Sequence, residues 1–498
     1  MKIQSCFFIN CAVRAAEWRG SENGSFFRHR ACDLRVGRRP EFPGKLSEYS
    51  VGTCANSNIE KKGMVIKMTK LKKPEVLAPA GNFEKLKAAV NFGADAVYMA
   101  GNCFGMRAAA GNFTESELFE AVEYAHARGV RVYITVNTMP RTAEYTFLRG
   151  YLEMLGKTGA DAVIVSDLGV FMLCREVIPH VPIHVSTQAS VVSAQTCKAW
   201  YGMGATRVIL ARELTLSEII EIRREIPDDL EIEAFVHGSM CISYSGRCLL
   251  SNYITGRDAN RGACTQPCRW EYKIYNSKDA EACDHTALHY EIDEVKRPGQ
   301  RLPVIEEDGD TFTFSSRDLC MIQHIPELVR SGLSCFKIEG RMKSTGYTAS
   351  VTNAYRIAVD RFFADPDNYV FDPALMAEVE SVCHREYATG FFFGEQTIEP
   401  NVCSEAGYIR EQAVLAVATK GSEGGALPEF YQKNKFSVGD RLELLTPGKV
   451  GQGFVAERIF DAEGQPIEST PHPEMKFKLE VPFPVCEGDI LRFARPTP

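Results

Sequence analysis

Four cysteines are grouped in one short segment of the chain, His237–Trp270, and their types and spacing are those of metal ligands. Six residues separate Cys241 from Cys248, and three separate Cys264 from Cys268. Thiolates bind soft metals and iron–sulfur clusters strongly, and four of them complete either a tetrahedral zinc site or a 4Fe–4S cluster. We therefore interpret these cysteines as the ligands of a metal centre.

The choice between zinc and an iron–sulfur cluster depends on the spacing. Structural zinc sites usually have about two to four residues between paired cysteines, so the six residues that follow Cys241 fit zinc poorly. The Gly- and Ser-rich surroundings also favour an iron–sulfur cluster, with zinc as the alternative. Cys320 is a reserve ligand, although packing on a helix face is the more ordinary role for it.

A different interpretation makes Cys241 a nucleophile, with His237 four positions earlier as its base. Such a pair needs hydrogen-bond contact and a third group that orients the base, and the sequence offers no evident third group. The other three cysteines of the segment would also go unexplained. We rank this interpretation below the metal centre and keep His237 as a candidate catalytic residue.

Polar side chains stand at or just beyond the ends of the predicted strands, where a barrel builds its active face. Arginine is suited to binding carboxylate or phosphate with two hydrogen bonds, so several arginines at one mouth predict an anionic ligand. An ordinary ion pair between Arg341 and Glu339 is equally compatible with the sequence. We take Glu339 and Arg341, together with His237, as candidate catalytic residues. The candidate substrate-binding residues are Arg107, Asn137, Gln188 and Arg212, and Asn102 and Asp167 occupy similar positions.

Short β-branched segments alternate with amphipathic helical segments from Glu75 onward, which predicts a parallel sheet. Eight strands and a closing helix at Tyr347–Phe363 fit a (β/α)8 barrel. An open doubly wound sheet is the alternative, but no GxGxxG follows the first strand. Helices are predicted at Glu115–Arg128 and Leu216–Ile226, among others. The predicted strands are Glu75–Ala80, Ala96–Ala100, Val130–Asn137, Ala162–Ser166, Ile183–Thr187, Arg207–Ala211, Glu231–His237 and Cys335–Glu339.

The alternation is interrupted once, between the seventh and eighth strands. Roughly a hundred residues, Gly238–Leu333, stand where a loop of about 2–6 residues is usual, and they contain the four grouped cysteines. A long insertion at the C-terminal face of a barrel lies where active sites are built. Within it we predict an extra strand at Phe312–Ser315 and the seventh helix at Asp318–Arg330.

The sequence after the barrel predicts a linker with a helix at Ala374–Glu386, followed by a small all-β domain. Its predicted strands are Ala413–Val417, Asp440–Leu445, Gly453–Ile459, Lys476–Leu479 and Ile490–Phe493. The predicted domains are an irregular N-terminal extension, either disordered or a start-site artefact (residues 1–66), the barrel catalytic domain (67–365), the linker and helix (366–406) and the C-terminal β domain (407–498).

Charge and composition narrow the functional classes. The net charge of −7 gives no support to wholesale coating of nucleic acid, but a local basic patch can still bind RNA. No apolar run reaches the roughly 18 residues of a membrane helix, and no secretory signal is evident at the start. We expect a cytoplasmic protein without a membrane partner.

Cations and aromatics that could bind an unpaired RNA loop surround the cysteines: Tyr253, Arg257, Arg261, Arg269, Trp270, Tyr272 and Lys273.

Three long motifs resemble the peptidase U32 (collagenase-like protease) family. They are EVLAPAGNFEKLKAAVNFGADAVYMAG at residues 75–101, EAFVHGSMCISYSGRCLLS at 233–251 and FKIEGRMKS at Phe336–Ser344. The resemblance extends from about Pro74 to the C-terminus. The CTQPCRW segment and the C-terminal β domain are similar to one branch of that family, whose members hydroxylate tRNA. The N-terminal extension has no counterpart in the family pattern, and the acidic stretch around Glu291–Asp310 lengthens the insertion.

The resemblance implies a function more specific than the residues alone predict. It implies an iron–sulfur enzyme that uses prephenate, a dicarboxylate, to hydroxylate the wobble uridine of the tRNA anticodon loop to 5-hydroxyuridine. The KIEGR signature of the family falls on Lys337–Arg341, and its ligands for a 4Fe–4S cluster fall on Cys241, Cys248, Cys264 and Cys268. The family name implies the alternative, a peptidase that hydrolyses peptide bonds. A further hypothesis is a non-catalytic scaffold that holds a partner redox protein. Binding of a protein partner, or assembly into a homo-oligomer, is also compatible with the sequence.

Overall fold

Repeated strand–helix units begin the described part of the chain. The structure, a computed structural model, describes residues 71–107, 111–270, 290–293, 301–307, 310–312, 316–394, 409, 412–422 and 425–494. The first strands are β1 (Glu75–Pro79), β2 (Ala96–Met99), β3 (Arg131–Val136), β4 (Ala162–Val165), β5 (Ile183–Val185), β6 (Arg207–Ile209) and β7 (Glu231–Ser239). The insertion contributes β8 (Tyr290–Asp293), β9 (Arg301–Glu307), β10 (Asp310–Phe312) and β11 (Asp318–Cys320), and β12 (Cys335–Ile338) follows it.

The barrel is closed by β12, which pairs in parallel with β1 on one side and with β7 on the other. The neighbouring pairs from β1 to β7 are also parallel. Most of these strands are fully buried, as expected where helices cover the outside of a parallel barrel. The predicted (β/α)8 fold is confirmed, and each of the eight predicted strands is present.

The helices between the strands begin at side-chain caps. Thr114 and Thr215 each form a capping box with the glutamate three positions later. No helix in the described ranges is both long and apolar enough to cross a bilayer. The helices are α1 (Phe83–Asn91), α2 (Glu115–His126), α3 (Tyr145–Leu155), α4 (Leu168–Val177), α5 (Ala194–Met203), α6 (Leu216–Glu225), α7 (Leu250–Thr255), α8 (Ile325–Arg330), α9 (Thr345–Ala364) and α10 (Pro373–Glu380).

The prediction of one helix over Asp318–Arg330 is wrong. The segment begins as β11, which pairs antiparallel with the end of β7, continues as a short 3-10 helix, and becomes α8 only from Ile325. The buried carboxylate of Asp318 binds Arg385 at 2.6 Å. These tertiary contacts override the local helical pattern, as they commonly do.

Two other predicted elements differ in length. The helix predicted over Ala374–Glu386 is α10, which begins after the N-cap Asp372 and ends at Glu380. Residues beyond it pair instead with other segments, since β13 (Tyr387–Ala388) lies parallel to β11. The strand predicted at Phe312–Ser315 overlaps β10 at its first residue, and its other three residues lie outside the described ranges. The predicted extension at residues 1–66 also lies outside them.

The predicted C-terminal all-β domain is confirmed as an eight-stranded antiparallel sheet. Gly453–Ile459, predicted as one strand, is divided between two. The strands β15 (Glu429–Gln432) and β19 (Pro466–Ile467) were not predicted. The sheet consists of β14 (Val414–Lys420), β15 (Glu429–Gln432), β16 (Arg441–Leu445), β17 (Gln452–Val455), β18 (Ile459–Asp461), β19 (Pro466–Ile467), β20 (Lys476–Leu479) and β21 (Ile490–Phe493).

Arg492 fastens this sheet to the rest of the chain. Its guanidinium binds Glu378 of α10 and Glu443 of β16, each at 2.8 Å, and donates to Ser381 Oγ at 2.9 Å. Arg492 is almost fully buried. A buried guanidinium is stable only when its donors are paired, so these contacts fix the C-terminal sheet against α10.

Candidate active site

One cavity of about 130 Å³ at the C-terminal end of the barrel strands contains ten of the eleven predicted site residues. The exception is His237. The ten are Arg107, Asn137, Gln188, Arg212, Glu339 and Arg341, which form a polar ring at the barrel mouth, and Cys241, Cys248, Cys264 and Cys268. Residues that are far apart in the sequence therefore share one wall.

The alternation of side chains along the strands explains this placement. Asn137 directly follows β3, and Glu339 directly follows β12. Side chains two residues apart on a strand point to the same face, so Thr135 and Lys337 line the same cavity one layer deeper. Neither Thr135 nor Lys337 is among the predicted site residues. The two-residue repeat of side-chain direction along a strand is the signal that could have identified both.

A β-bulge turns His237 away from the cavity. Lys337 pairs with Phe235, but the next residue of β12, Ile338, pairs with His237. The extra residue in β7 reverses the alternation at this point. The imidazole is buried between Tyr355 and Tyr387, with ring centroids 5.5 and 5.2 Å away. Burial lowers the pKa of His237 to about 3, which keeps the ring neutral.

Glu339 lies between cations at the barrel mouth. Its Oε1 accepts a hydrogen bond from Arg107 at 3.3 Å, and its Oε2 accepts one from the Tyr98 hydroxyl at 3.2 Å. Burial acts to raise the pKa of Glu339, but Arg107 and Arg341 outweigh it, so that this pKa lies below its ordinary value. Glu339 is therefore a carboxylate that positions the arginines, and it is poorly suited to donate a proton.

The loop that carries Arg107 has a strained backbone. Phe104, Arg107 and Asn112 have φ values of 55°, 75° and 47°. A non-glycine residue in this region costs about 1–3 kcal/mol and persists only where neighbouring contacts fix it. Asn137 supplies such a contact, because its Oδ1 accepts from the Met106 backbone N–H at 3.0 Å. The side-chain oxygen of Asn137 thus serves to hold the Arg107 loop in place.

Three buried polar atoms of the cavity wall have no hydrogen-bond partner within the described ranges. They are Thr135 Oγ1, Gln188 Oε1 and Arg212 Nε. The remaining nitrogens of Arg212 donate to the Ser239 carbonyl at 3.1 Å and to Ser245 Oγ at 2.8 Å. Leaving a buried polar group unpaired costs about 1–3 kcal/mol, so these atoms indicate a wall built for a polar ligand.

The four cysteines approach the cavity from the first half of the insertion. Cys241 and Cys264 are exposed, and Cys248 and Cys268 are half-buried. Desolvation raises the pKa of Cys268, and Arg269 opposes this effect. All four cysteines line the same cavity. In the described part of the chain, no three or more His, Cys, Asp or Glu side chains lie in an arrangement that could hold a metal ion.

The chemistry of the donor set fits the predicted metal centre. Four thiols without a carboxylate or imidazole among them suit a soft metal or an iron–sulfur cluster. Desolvation acts to raise the pKa of Cys241, but Arg212 and Arg107 lower it below its ordinary value. A depressed thiol pKa is typical of cysteines that act as thiolates.

Close backbone contacts hold the insertion against the barrel. A Cβ on Gly246, which has a φ of 78°, would lie 2.3 Å from the Gln188 carbonyl oxygen. A Cβ on Gly262, with a φ of 83°, would lie 2.9 Å from the Gly105 carbonyl oxygen. Glycine at both positions lets the cysteine-bearing segment approach the loops that follow β5 and β2.

Three other residues singled out in the sequence lie away from the cavity lining. Cys320 is buried on β11 rather than on a helix, and burial raises its pKa to about 12. Asp167 caps α4, where it accepts from the Val170 N–H at 3.0 Å. Asn102 is exposed.

Exposed aromatic residues lie on the cysteine-bearing segment, and one of them, Tyr244, also lines the cavity. Tyr244, Tyr253 and Trp270 expose 54%, 80% and 37% of their surface. Among the predicted RNA-binding cations, Arg257 is exposed, whereas Arg261 binds Glu144 at 2.7 Å and Arg269 donates to the Met240 carbonyl at 2.9 Å. The aromatic residues and Arg257 are available for a ligand, while the other two arginines have structural contacts. Tyr272 and Lys273 lie outside the described ranges.

Comparison with known proteins gives the following similarities. Family models described as peptidase family U32 and as its C-terminal domain match residues 81–401 and 410–492. The chain is 38% identical over 411 residues to tRNA hydroxylation protein P1 of Bacillus subtilis, covering 82% of this chain and 92% of that protein. It is 38% identical over 434 residues to tRNA hydroxylation protein P of Escherichia coli, covering 82% and 94%. It is 28% identical over 388 residues to a collagenase of Porphyromonas gingivalis, covering 75% and 86%.

Proposed function

This chain therefore belongs to peptidase family U32, and we propose that it is an enzyme that hydroxylates tRNA. The observation that carries the proposal is the single cavity in which four thiols meet a ring of arginines and unpaired buried polar atoms. The similarity to two proteins named for tRNA hydroxylation, over more than nine-tenths of each, supports the same activity here.

The finer form of the proposal concerns the RNA substrate. The substrate is the wobble uridine of the anticodon loop, which is converted to 5-hydroxyuridine in the cytoplasm. A base in a single-stranded loop leaves its stack at little cost, and aromatic side chains hold unpaired bases by stacking. Tyr244 lines the cavity, and Tyr253 and Trp270 are exposed on the same segment, so all three could make that contact.

The metal centre of the proposal is a 4Fe–4S cluster bound by Cys241, Cys248, Cys264 and Cys268. When bound, it supplies redox chemistry beside the cavity, which a hydroxylation needs and a peptide hydrolysis does not. The protein's own contribution is to hold the four thiols on one wall and to surround Cys241 with guanidinium groups.

The co-substrate of the proposal is prephenate, bound by the arginines of the polar ring. Arg107, Arg212 and Arg341 offer N–H donors in fixed forks that match carboxylate oxygens. Glu339 orients Arg107, and the Asn137 side chain fixes the loop behind it. These contacts would hold a dicarboxylate in one orientation under the base.

The peptidase alternative is less well supported. A thiol peptidase needs Cys241 and His237 within hydrogen-bond reach. The imidazole instead lies on the opposite face of β7, buried among aromatic rings. The similarity to a collagenase is also lower than that to the tRNA hydroxylation proteins.

The proposed function is tested with tRNA from a strain that lacks the gene. Nucleosides from the deletion strain, and from that strain carrying the wild-type gene, are compared by liquid chromatography with mass spectrometry. We expect 5-hydroxyuridine to disappear on deletion and to return with the gene. Unchanged 5-hydroxyuridine in the deletion strain would contradict the proposal, and cleavage of gelatin by the purified protein would favour the peptidase.

Replacing Tyr253 with alanine is expected to weaken tRNA binding about five- to a hundredfold, because stacking contributes about 1–3 kcal/mol per base. The side chain is 80% exposed, so folding should be unaffected. Binding is measured by fluorescence anisotropy with a labelled anticodon stem-loop. Phe119→Ala on α2, which removes another exposed aromatic ring, is the control and should bind normally. Equal affinity of both variants would exclude Tyr253 from the RNA-binding surface.

A further inference from the structure

Below the polar ring, the cavity has a floor of different chemistry. Thr135 and Lys337 lie two residues before Asn137 and Glu339 on their strands, and a strand rises about 3.3 Å per residue. They therefore lie roughly 7 Å further down their strands, towards the inside of the barrel. The Lys337 ammonium stands 4.5 Å from the Tyr98 ring centroid and 5.4 Å from that of Phe235.

The floor has hydrogen-bonding capacity that the described residues do not use. An ammonium carries three N–H donors, and the acceptor found for Lys337 in the described ranges is Glu233 Oε1, at 2.7 Å. The hydroxyl of Thr135 is buried and has no partner there. Buried donors and hydroxyls are nearly always paired in proteins. Two such groups lining one cavity therefore point to a ligand at its floor.

A chain of buried charges fixes the position of Lys337. Glu233, which is fully buried, accepts from Lys337 and also from Arg207 Nη1 at 3.2 Å. Arg207 in turn binds Glu75 at 2.6 Å and Glu231 at 2.5 Å. Because Glu233 is shared between two cations, it does not satisfy Lys337 alone. The ion pair with Glu233 thus fixes the ammonium in the wall of the cavity, which Lys337 lines.

We infer that Lys337 and Thr135 form a second subsite, which binds an anionic or carbonyl group at the buried end of a small ligand. The arginines of the polar ring bind the other end. The cavity would then select a small ligand with two separate acceptor groups, one for each subsite. This inference rests on the proposed function, since it assigns the deeper half of the same binding site.

The test measures binding of two probes by isothermal titration calorimetry. Prephenate carries two carboxylates, and 4-hydroxyphenylpyruvate carries one. The variants are Thr135→Val, which keeps the side-chain shape, and the double variant Lys337→Met with Glu233→Gln, which removes the cation without leaving its partner charged. Arg341→Met removes a cation from the polar ring instead. Thermal unfolding checks that each variant is folded.

We expect the double variant to bind prephenate about ten- to a hundredfold more weakly, as for the loss of a hydrogen bond to a charged group. Thr135→Val should also bind it more weakly. Both should bind the monocarboxylate within about twofold of wild type, whereas Arg341→Met should weaken both probes. Unchanged prephenate binding in the floor variants, or equal losses for both probes, would overturn the subsite.

The same experiment separates this inference from the proposed function. Wild-type protein that binds neither probe would overturn the subsite, whereas 5-hydroxyuridine restored by the gene in the deletion strain would still support tRNA hydroxylation. Selective loss of prephenate binding in the floor variants, with unchanged 5-hydroxyuridine in the deletion strain, would support the subsite and overturn the proposed function.

Discussion

Replacing Cys241 with alanine is expected to remove the metal centre and, with it, tRNA hydroxylation. Cys241 lies two residues after β7, and Arg212 and Arg107 hold the pKa of its thiol below the ordinary value. A 4Fe–4S cluster is held by four thiolates, so loss of one leaves an open position on an exposed wall. We expect about four irons with matching sulfide in the wild type and almost none in the variant.

The measurement is iron and sulfide analysis with an optical spectrum after anaerobic purification. The same variant, returned to the deletion strain, should restore almost none of the 5-hydroxyuridine. Cys486→Ala is the matched control, because Cys486 is also exposed but lies between β20 and β21 of the C-terminal domain. It should keep both iron and activity.

Other metal contents would change the conclusion in different ways. Zinc in the wild type, lost in Cys241→Ala, would support a four-cysteine site and contradict the iron–sulfur cluster. Iron retained in Cys241→Ala would show that a different residue completes the ligand set. Protein without metal but with normal hydroxylation in the cell would contradict the metal centre itself.

The barrel and most of its mouth could be predicted because both depend on local periodicity. Parallel strands leave β-branched runs in the sequence, and the residue after each strand faces the active end of a barrel. Arg212 and Glu339 were found in this way, and both line the cavity. The grouping of the cysteines was equally evident, because their spacing within one insertion requires no knowledge of the fold.

The failures have long-range causes. A single extra residue in β7 turns His237 to the other face, and no local signal marks the bulge, since its partner Ile338 is about a hundred residues away. Asp318 begins a strand rather than a helix because Arg385, from beyond the barrel, binds its carboxylate. Pairing between distant segments decided both cases, and residue propensities do not report it.

Replacing Arg207 with methionine is expected to lower the free energy of unfolding by about 3–5 kcal/mol, the range found when one partner of a buried ion pair is removed. Arg207 is 1% exposed, and its guanidinium binds Glu75, Glu231 and Glu233. The variant leaves two almost fully buried carboxylates, Glu75 and Glu233, without this cation. Urea unfolding at neutral pH measures the change. Arg149→Met, which breaks an exposed pair with Glu176, should change stability by less than about 1 kcal/mol.

The pH dependence of the stability loss in Arg207→Met distinguishes an electrostatic cause from simple loss of packing. Burial acts to raise the pKa of Glu233, and Lys337 and Arg207 reverse this, so the pKa lies below its ordinary value in the wild type. Wild-type stability from this group is therefore present above the unfolded pKa of about 4.3 and is lost as the pH falls. Without Arg207, the pKa of the carboxylate rises, and protonation relieves the unpaired charge. The difference between variant and wild type should thus shrink towards pH 4, whereas a packing defect would leave it constant.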